Sequence, residues 1–510
     1  MAPDRPGVPD PAAAGVGSAS ATGGLIGIVD IGSNSIRLVV YDGLRRTPIP
    51  VFNEKILCGL GRDLQETGRL DPDGVVSAMV NLRRFVALAD GMGVERLEAV
   101  ATAAVREATD GPDFVRNVAE ACGLGIQVLD GASEARLSAL GVLSGIPEAS
   151  GIMGDLGGGS LELVALADGR AGASVTLPLG PLRLSAVAER GAEHVERLLG
   201  ETLGEITWLS EGAGQDFYPV GGAWRNLARL HMRQTDYPLR VIDHYTVPVA
   251  GFRPMLGVLM RQSPRSLRAM PEVRSRRAAV LPLGARILRR LLRLAGSRRV
   301  VFSAQGLREG MLYSRLPSDV REEDPLLAAC RDLSAGFSRF EVDGEAVMNW
   351  TAPIFPDESP EQRRLRRAVC EIADVGWGEH PDYRAEHAFY KVLRLPAVGV
   401  DHPGRAFLAL ALSRRYGGGD RRGPGSDIHR LLDPEMTGRA GILGAALRLA
   451  FTLSGGATGL LDRAALRLAD DGAVVLDIHA DGSALDGDVV GGRLGALADA
   501  LGRSARIEFR

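Results

Sequence analysis

The sequence predicts an α/β protein in which two related domains face each other across a cleft. Three observations predict it. Short apolar runs alternate with helical patterns from Leu25 to Leu143, as in α/β architectures. A turn of the form Asp, apolar, Gly, two small or polar residues, Ser occurs twice. It appears as Asp30 to Ser35 (DIGSNS) and as Asp155 to Ser160 (DLGGGS), each time between apolar strands. The 510 residues are also several domains' worth of chain.

The second turn carries the chemistry. An apolar strand ends in Asp155 and Leu156, three glycines follow (Gly157, Gly158, Gly159), and Ser160, Leu161 and Glu162 open another strand. This reads as a β-hairpin. Consecutive glycines permit positive φ and leave backbone N–H groups bare for a phosphate. Carboxylates on both sides, Asp155 and Glu162, suit metal-assisted phosphate chemistry. Read alone, an ordinary hairpin with a bare tip fits equally. The first turn (Gly32, Ser33, Asn34, Ser35) repeats the plan. Two such turns meeting at a cleft would form a pair of phosphate clamps.

Composition narrows the function. Apolar residues make up 45% and charged residues 24%, ordinary for a globular protein. A net charge of -3 argues against a dedicated nucleic-acid binder. Lysine occurs only at Lys55 and Lys391, so arginine must supply most cationic grip on phosphate. Cys58, Cys122, Cys330 and Cys370 are far apart, which indicates neither a zinc site nor a disulfide framework and suits a reducing cytoplasm. Residues 1–23, rich in Ala, Gly, Pro and Ser, read as a disordered tail without the pattern of a signal peptide. No apolar run is long enough for a membrane span.

In chain order, the first domain spans 24–137. Its strands are Leu25 to Val29, Ile36 to Asp42, Leu97 to Thr102 and Ile126 to Asp130. Asp71 and Pro72 start one helix, Asp110 is the expected cap of another, and a third begins near Glu134. Arg106 and Glu134 both stand just beyond strand ends, where functional residues gather. The second domain spans 138–315. It contains a third glycine turn, Gly221 and Gly222, that opens a helix. Basic helices follow over Arg274 to Leu294, then a strand and a helix from near Gly306. Ser314 to Pro325 is the main boundary. Residues 321–455 read as helical and 456–510 as a small α+β piece.

Taken in order, DIGSNS, LEAVATAAVREA, SEARL, DLGGGSLELV, VGGAWRNLARL and GLREG resemble the exopolyphosphatase / guanosine pentaphosphate phosphohydrolase (Ppx/GppA) family, long type. The resemblance implies two actin-like (ASKHA, ribonuclease H-like) domains flanking the cleft, then an all-α HD-like domain and the α+β piece. It implies that Glu134 orients or deprotonates the attacking water and that Glu162 is a second essential carboxylate. Asp155, Glu162 and Asp30 would act on Mg²⁺ or another divalent cation. Arg106 would hold phosphate oxygens. Gly32 to Ser35 and Gly157 to Ser160 would be the two phosphate loops, with Gly221 and Gly222 at a third turn. There Ala223 and Trp224 depart from the hydroxyl-bearing pattern.

The implied substrate is inorganic polyphosphate, with guanosine penta- or tetraphosphate as the rival. The resemblance also implies a homodimer. Ala373 stands where an HD module has the His of its His-Asp pair, beside Asp374, so that module reads as a relic that lengthens a substrate channel or builds the dimer. His380 and His387 lie seven apart in it, and His402 follows Asp401. Arginine clusters such as Arg363 to Arg367 either line a route for a polyanion or are solvated helix faces. A non-catalytic polyphosphate or alarmone sensor, and a sugar kinase, are the other function classes carried forward.

Overall fold

The computed structural model describes residues 23–270, 273, 278–396, 399–419 and 426–510. The expected tail lies outside them except for Gly23, as does part of the basic stretch after Arg274.

Five strands form the first sheet: β1 (Ile26–Ile31), β2 (Ser35–Tyr41), β3 (Pro50–Leu57), β4 (Arg96–Ala101) and β5 (Ile126–Val128), in the order β3-β2-β1-β4-β5. Six form the second: β6 (Gly151–Leu156), β7 (Leu161–Ala167), β8 (Arg170–Leu177), β9 (Asp216–Val220), β10 (Tyr245–Pro248) and β11 (Arg299–Phe302), in the order β10-β11-β9-β6-β7-β8. In both sheets an antiparallel meander of three strands continues into parallel neighbours. The second sheet therefore repeats the first, as the two matching turns predict.

Helix signals decide local structure where they are complete. Asp71 caps the Pro72–Gly91 helix by accepting from the Gly74 N–H at 2.6 Å, with Pro72 in the first turn. Its buried residues Ala78, Leu82, Phe85 and Ala89 recur every three or four positions, the inward stripe of a surface helix. Asp110 stands at the expected N-cap of the Gly111–Cys122 helix, but its side chain is used elsewhere. It caps no helix through its side chain and accepts instead from the Leu70 N–H at 2.9 Å.

The structure corrects the boundary drawn between the two domains. Helix Gly131–Gly145 runs unbroken through positions 137 and 138. Helix Leu307–Arg315, placed by sequence order in the second domain, packs on the first sheet. Its Met311 and Leu312 share a core with Ile28, Val39, Tyr41, Val100 and Leu137. The two helices cross at glycines: a Cβ on Gly310 would strike the Leu137 carbonyl oxygen, and one on Gly141 would strike that of Gly306.

Beyond Pro325 the described residues are mainly helical to Leu453 and then form a sheet of β12 (Ala464–Leu468), β13 (Val474–Ile478) and β14 (Ala505–Phe509). Helical and sheet residues share one core, from Leu326 and Val369 to Val474 and Leu497, so the line expected at 455 separates no two cores. Trp350 Nε1 donates to the Ala464 carbonyl at 2.8 Å across it. Asp374 is buried and gripped by Arg339, Nε to Oδ2 at 3.0 Å and Nη2 to Oδ1 at 2.9 Å. His387 pairs with Glu379, and His402 lies far off, against the second domain. In the Arg363 to Arg367 cluster, Glu358 neutralises Arg366 and Asp324 neutralises Arg364. Those two arginines serve the fold, not a polyanion route.

The helical body docks on the second domain through Leu239, which packs with Phe389, Leu393, Ala406 and Ile428. No helix among the described residues is long and apolar enough to cross a membrane. The cysteines are free.

Candidate active site

The two hairpin turns have the same geometry. Gly32 N donates to Ser35 O at 3.0 Å, and Gly157 N to Ser160 O at 3.1 Å. Their tips meet across the cleft. A Cβ on Gly158 would lie 3.5 Å from the Cβ atoms of Ser33 and Asn34, and one on Gly159 would lie 3.0 Å from Ser33 Oγ. The expected use of positive φ is not found: none of Gly32, Gly157, Gly158 or Gly159 adopts it. These glycines serve the close approach of two backbones instead.

The tip carbonyls are tied to each loop's own domain. Ser33 O accepts from Gly61 N and Asn34 O from Gly59 N; Gly158 O accepts from Leu182 N and Gly159 O from Gly180 N. The N–H groups of Ser33, Asn34, Gly158 and Gly159 make no backbone hydrogen bond in the turns. Donors are thus what both tips offer to an anion.

The third turn lies beside the second. β9 runs parallel to β6 with Val220 opposite Asp155. Gly221 has φ 104° and sits so close to Leu156 that a Cβ would strike its carbonyl oxygen. Only glycine suits that position. The Gly222–Gln234 helix starts there. Trp224, at the departure from the hydroxyl pattern, is fully buried, donates to Gly284 O at 2.9 Å and meets Phe217 edge to face. Its indole fills the core and takes no part in the cleft.

Four carboxylates and one arginine converge on this region. Asp130 caps the Gly131–Gly145 helix through the Ser133 N–H, which sets Glu134 in the first turn. Arg106 Nη1 donates both to Glu134 Oε2 at 3.0 Å and to Leu129 O at 2.8 Å. Burial pushes the Glu134 carboxyl up to about 7; Arg106 opposes the rise, and the charges of Asp155 and Asp30 add to it. Glu162 is 1% exposed, and its Oε1 has no hydrogen-bond partner. Burial first, then Glu134 and Asp155, hold it well above the ordinary carboxylate range. Asp155 is also raised by burial, against the opposing hydrogen bond from Ser138 Oγ at 2.7 Å. Asp30 accepts from Arg308 Nη1 at 2.8 Å.

Among the described residues no three His, Cys, Asp or Glu side chains converge to hold an ion by themselves. The donor chemistry nonetheless fits a hard cation. Magnesium is commonly held by one or two carboxylates plus phosphate oxygens. The orphaned Glu162 Oε1 beside Asp155 is such a donor.

The structure also supplies residues that sequence reasoning left without a role. Arg308 and Glu309, in the GLREG stretch, reach the first domain: Arg308 holds Asp30, and Glu309 accepts from the Tyr41 hydroxyl at 2.8 Å. Burial and the Arg308 charge lower the Arg37 guanidinium to about 10. Arg225 donates to the carbonyls of Ser303 and Ala304 and feels the charges of Glu309 and Asp155. Arg308 and Glu309 were signalled only by GLREG after a strand and Arg225 only by its place in VGGAWRNLARL, without a role for any of them. Ser138 had none.

Comparison with known proteins fits this geometry. A family model described as Ppx/GppA phosphatase family matches residues 39–319, and one described as exopolyphosphatase, C-terminal, matches residues 326–508. The chain is 27% identical over 439 residues to retrograde regulation protein 2 of Saccharomyces cerevisiae, covering 77% of this chain and 73% of that one. It is 26% identical over 306 residues to exopolyphosphatase 1 of Mycobacterium tuberculosis, covering 58% and 89%. The crystal structure of an exopolyphosphatase from Cytophaga hutchinsonii is similar in fold, with a TM-score of 0.52 at 21% identity, covering 57% of this chain and 97% of that one.

Proposed function

The chain belongs to the Ppx/GppA phosphatase family, and from that premise we propose that it hydrolyses the terminal phosphate of inorganic polyphosphate. One observation carries the reading: a buried, proton-ready Glu134 held by Arg106 beside two opposed loops that present N–H donors. Phosphoryl transfer asks for charge neutralisation and an aligned nucleophile more than for covalent help. Glu134 takes a proton from the attacking water as its oxygen bonds to the terminal phosphorus. The bridging P–O bond breaks, and the shortened chain leaves with its oxygen. Arg106 and the N–H groups of Ser33, Asn34, Gly158 and Gly159 bind the equatorial oxygens as charge develops. A divalent cation on Asp155, Glu162 and Asp30 would supply further neutralisation. The same reading includes a homodimer and a cytoplasmic setting, which the free cysteines suit.

The relative named for retrograde regulation favours a second reading, a sensor that binds polyphosphate or an alarmone without turnover. Guanosine pentaphosphate is the rival substrate for the same chemistry.

The test is phosphate release from long-chain polyphosphate and from guanosine pentaphosphate with Mg²⁺, comparing wild type with Glu134→Gln. Release from polyphosphate should fall by about two orders of magnitude or more in the variant. Turnover of the nucleotide alone would transfer the reading to it. Binding without release by the wild type would establish the sensor.

A further inference from the structure

A cavity of about 360 Å³ lies where the first domain, the second domain and the helical body meet. Seven arginines line it against two carboxylates, Asp243 and Glu309. Arg37 comes from β2, Arg45 and Arg46 from the loop after it, Arg308 from the Leu307–Arg315 helix on the same sheet, Arg225 from the second domain, and Arg394 and Arg405 from the helical body. Both carboxylates are already engaged: Asp243 Oδ1 accepts from the Ala304 N–H at 2.8 Å, and Glu309 accepts from Tyr41 and from the Gly306 N–H.

Arg46 shows what the cavity lacks. It is 4% exposed, with Nε on Glu323 O at 2.9 Å and Nη1 on Ser144 O at 2.7 Å. Its Nη2 has no partner, and it forms no ion pair among the described residues. Carbonyls, the Tyr313 ring 5.1 Å from its guanidinium carbon and the charges of Asp324 and Glu323 surround it, yet no carboxylate pairs with it directly. A buried cation with one unpartnered nitrogen is costly unless a closer counter-charge arrives. Arg225 is likewise hydrogen-bonded to carbonyls, with the charges of Glu309, Asp155 and Asp243 acting on it from further off. Several guanidinium groups around one small space match an anion with several charges at short spacing, since each fork grips two oxygens. Through Arg308, which also holds Asp30, the cavity adjoins the cleft.

We propose that this three-way junction is a second binding site for condensed phosphate, filled either by the substrate's own chain beyond the scissile bond or by a free oligophosphate. The proposal rests on the functional reading above only for its choice of anion.

The experiment uses the full chain. Tripolyphosphate is titrated calorimetrically into Glu134→Gln protein, with and without the changes Arg45→Ala, which also frees Asp42 and Asp332, and Arg394→Ala, neither of which lies in the cleft. The double change should weaken one binding event by about tenfold or more. A second variant, Arg46→Met, should abolish that event if it folds. Unchanged binding in the double variant overturns the proposal. Steady-state kinetics of the double variant with Glu134 intact then identify the occupant. A KM for long chains raised about tenfold at constant kcat, with turnover of tripolyphosphate unaltered, assigns the site to the substrate chain. An unaltered KM with loss of any effect of added oligophosphate on rate assigns it to the free anion. If the wild type hydrolyses neither polyanion, the functional reading fails, and the calorimetry still decides the cavity.

Discussion

Arg106 donates to Glu134 and to the Leu129 carbonyl from a single nitrogen, so its charge stands beside the base before any substrate arrives. That charge pulls the Glu134 carboxyl down, while burial and two neighbouring carboxylates lift it to about 7. The reactive form is the carboxylate, so kcat/KM should rise with pH through that value. Arg106→Gln removes the one strong lowering influence. The rising limb should therefore move to higher pH by about one unit or more, and a pH–rate profile reads it directly. A limb that stays in place would mean that another group titrates, Glu162 being the nearest candidate. Glu134 and Arg106 were legible in the sequence because each follows a strand end in a short motif. The role of Ser138 as the hydroxyl on Asp155 was not, since the pairing depends on a helix and a strand from different parts of the chain touching.

Both hairpin turns were legible because each is complete within six residues and owes nothing to distant packing. The purpose of their glycines was not, because it is set by the opposite loop. Gly158 and Gly159 lack side chains so that Ser33 and Asn34 can approach. The same holds where helix Gly131–Gly145 crosses helix Leu307–Arg315. Gly310→Ala places a methyl against the Leu137 carbonyl oxygen, which neither backbone can yield without the helices moving apart. It should cost about 1–3 kcal/mol, measured by chemical denaturation. It should also lower turnover, because Arg308 and Glu309 ride on the displaced helix. Full stability in this variant would show that the crossing is looser than its geometry. Asp110 teaches the complementary lesson. It holds the N-cap position the sequence signalled, but a competing N–H from Leu70 claimed its side chain.

His402 joins the helical body to the second domain. Its ring nitrogens meet the Tyr237 hydroxyl at 3.0 Å and the Asp243 carbonyl at 3.1 Å. Burial, then Arg405, push it down to about 3. Because the folded value lies below the ordinary one, the unfolded chain takes up the proton first. The stability this neutral ring contributes is present above about pH 6.5 and is lost as pH falls toward 3, with a slope of up to about 1.4 kcal/mol per pH unit. His402→Gln should flatten that part of a stability–pH curve, and an identical slope in the variant would refute the assignment. None of this was legible, and neither was the true course of the domain boundary. Arg308 and Asp30 are 278 residues apart, and no local pattern joins them.

That separation governs the order of synthesis. The ribosome releases β1 to β5 first, yet the helix that covers their sheet, Leu307–Arg315, emerges only after all six strands of the second sheet. The first domain to be made is the later one to be finished, contrary to the usual N-terminal-first order. The second can close while the first still waits with Ile28, Val39 and Tyr41 lacking the cover of Met311 and Leu312. Asp30 therefore meets its arginine last, and a nascent chain halted before residue 307 leaves its N-terminal half, not its C-terminal one, in need of a chaperone.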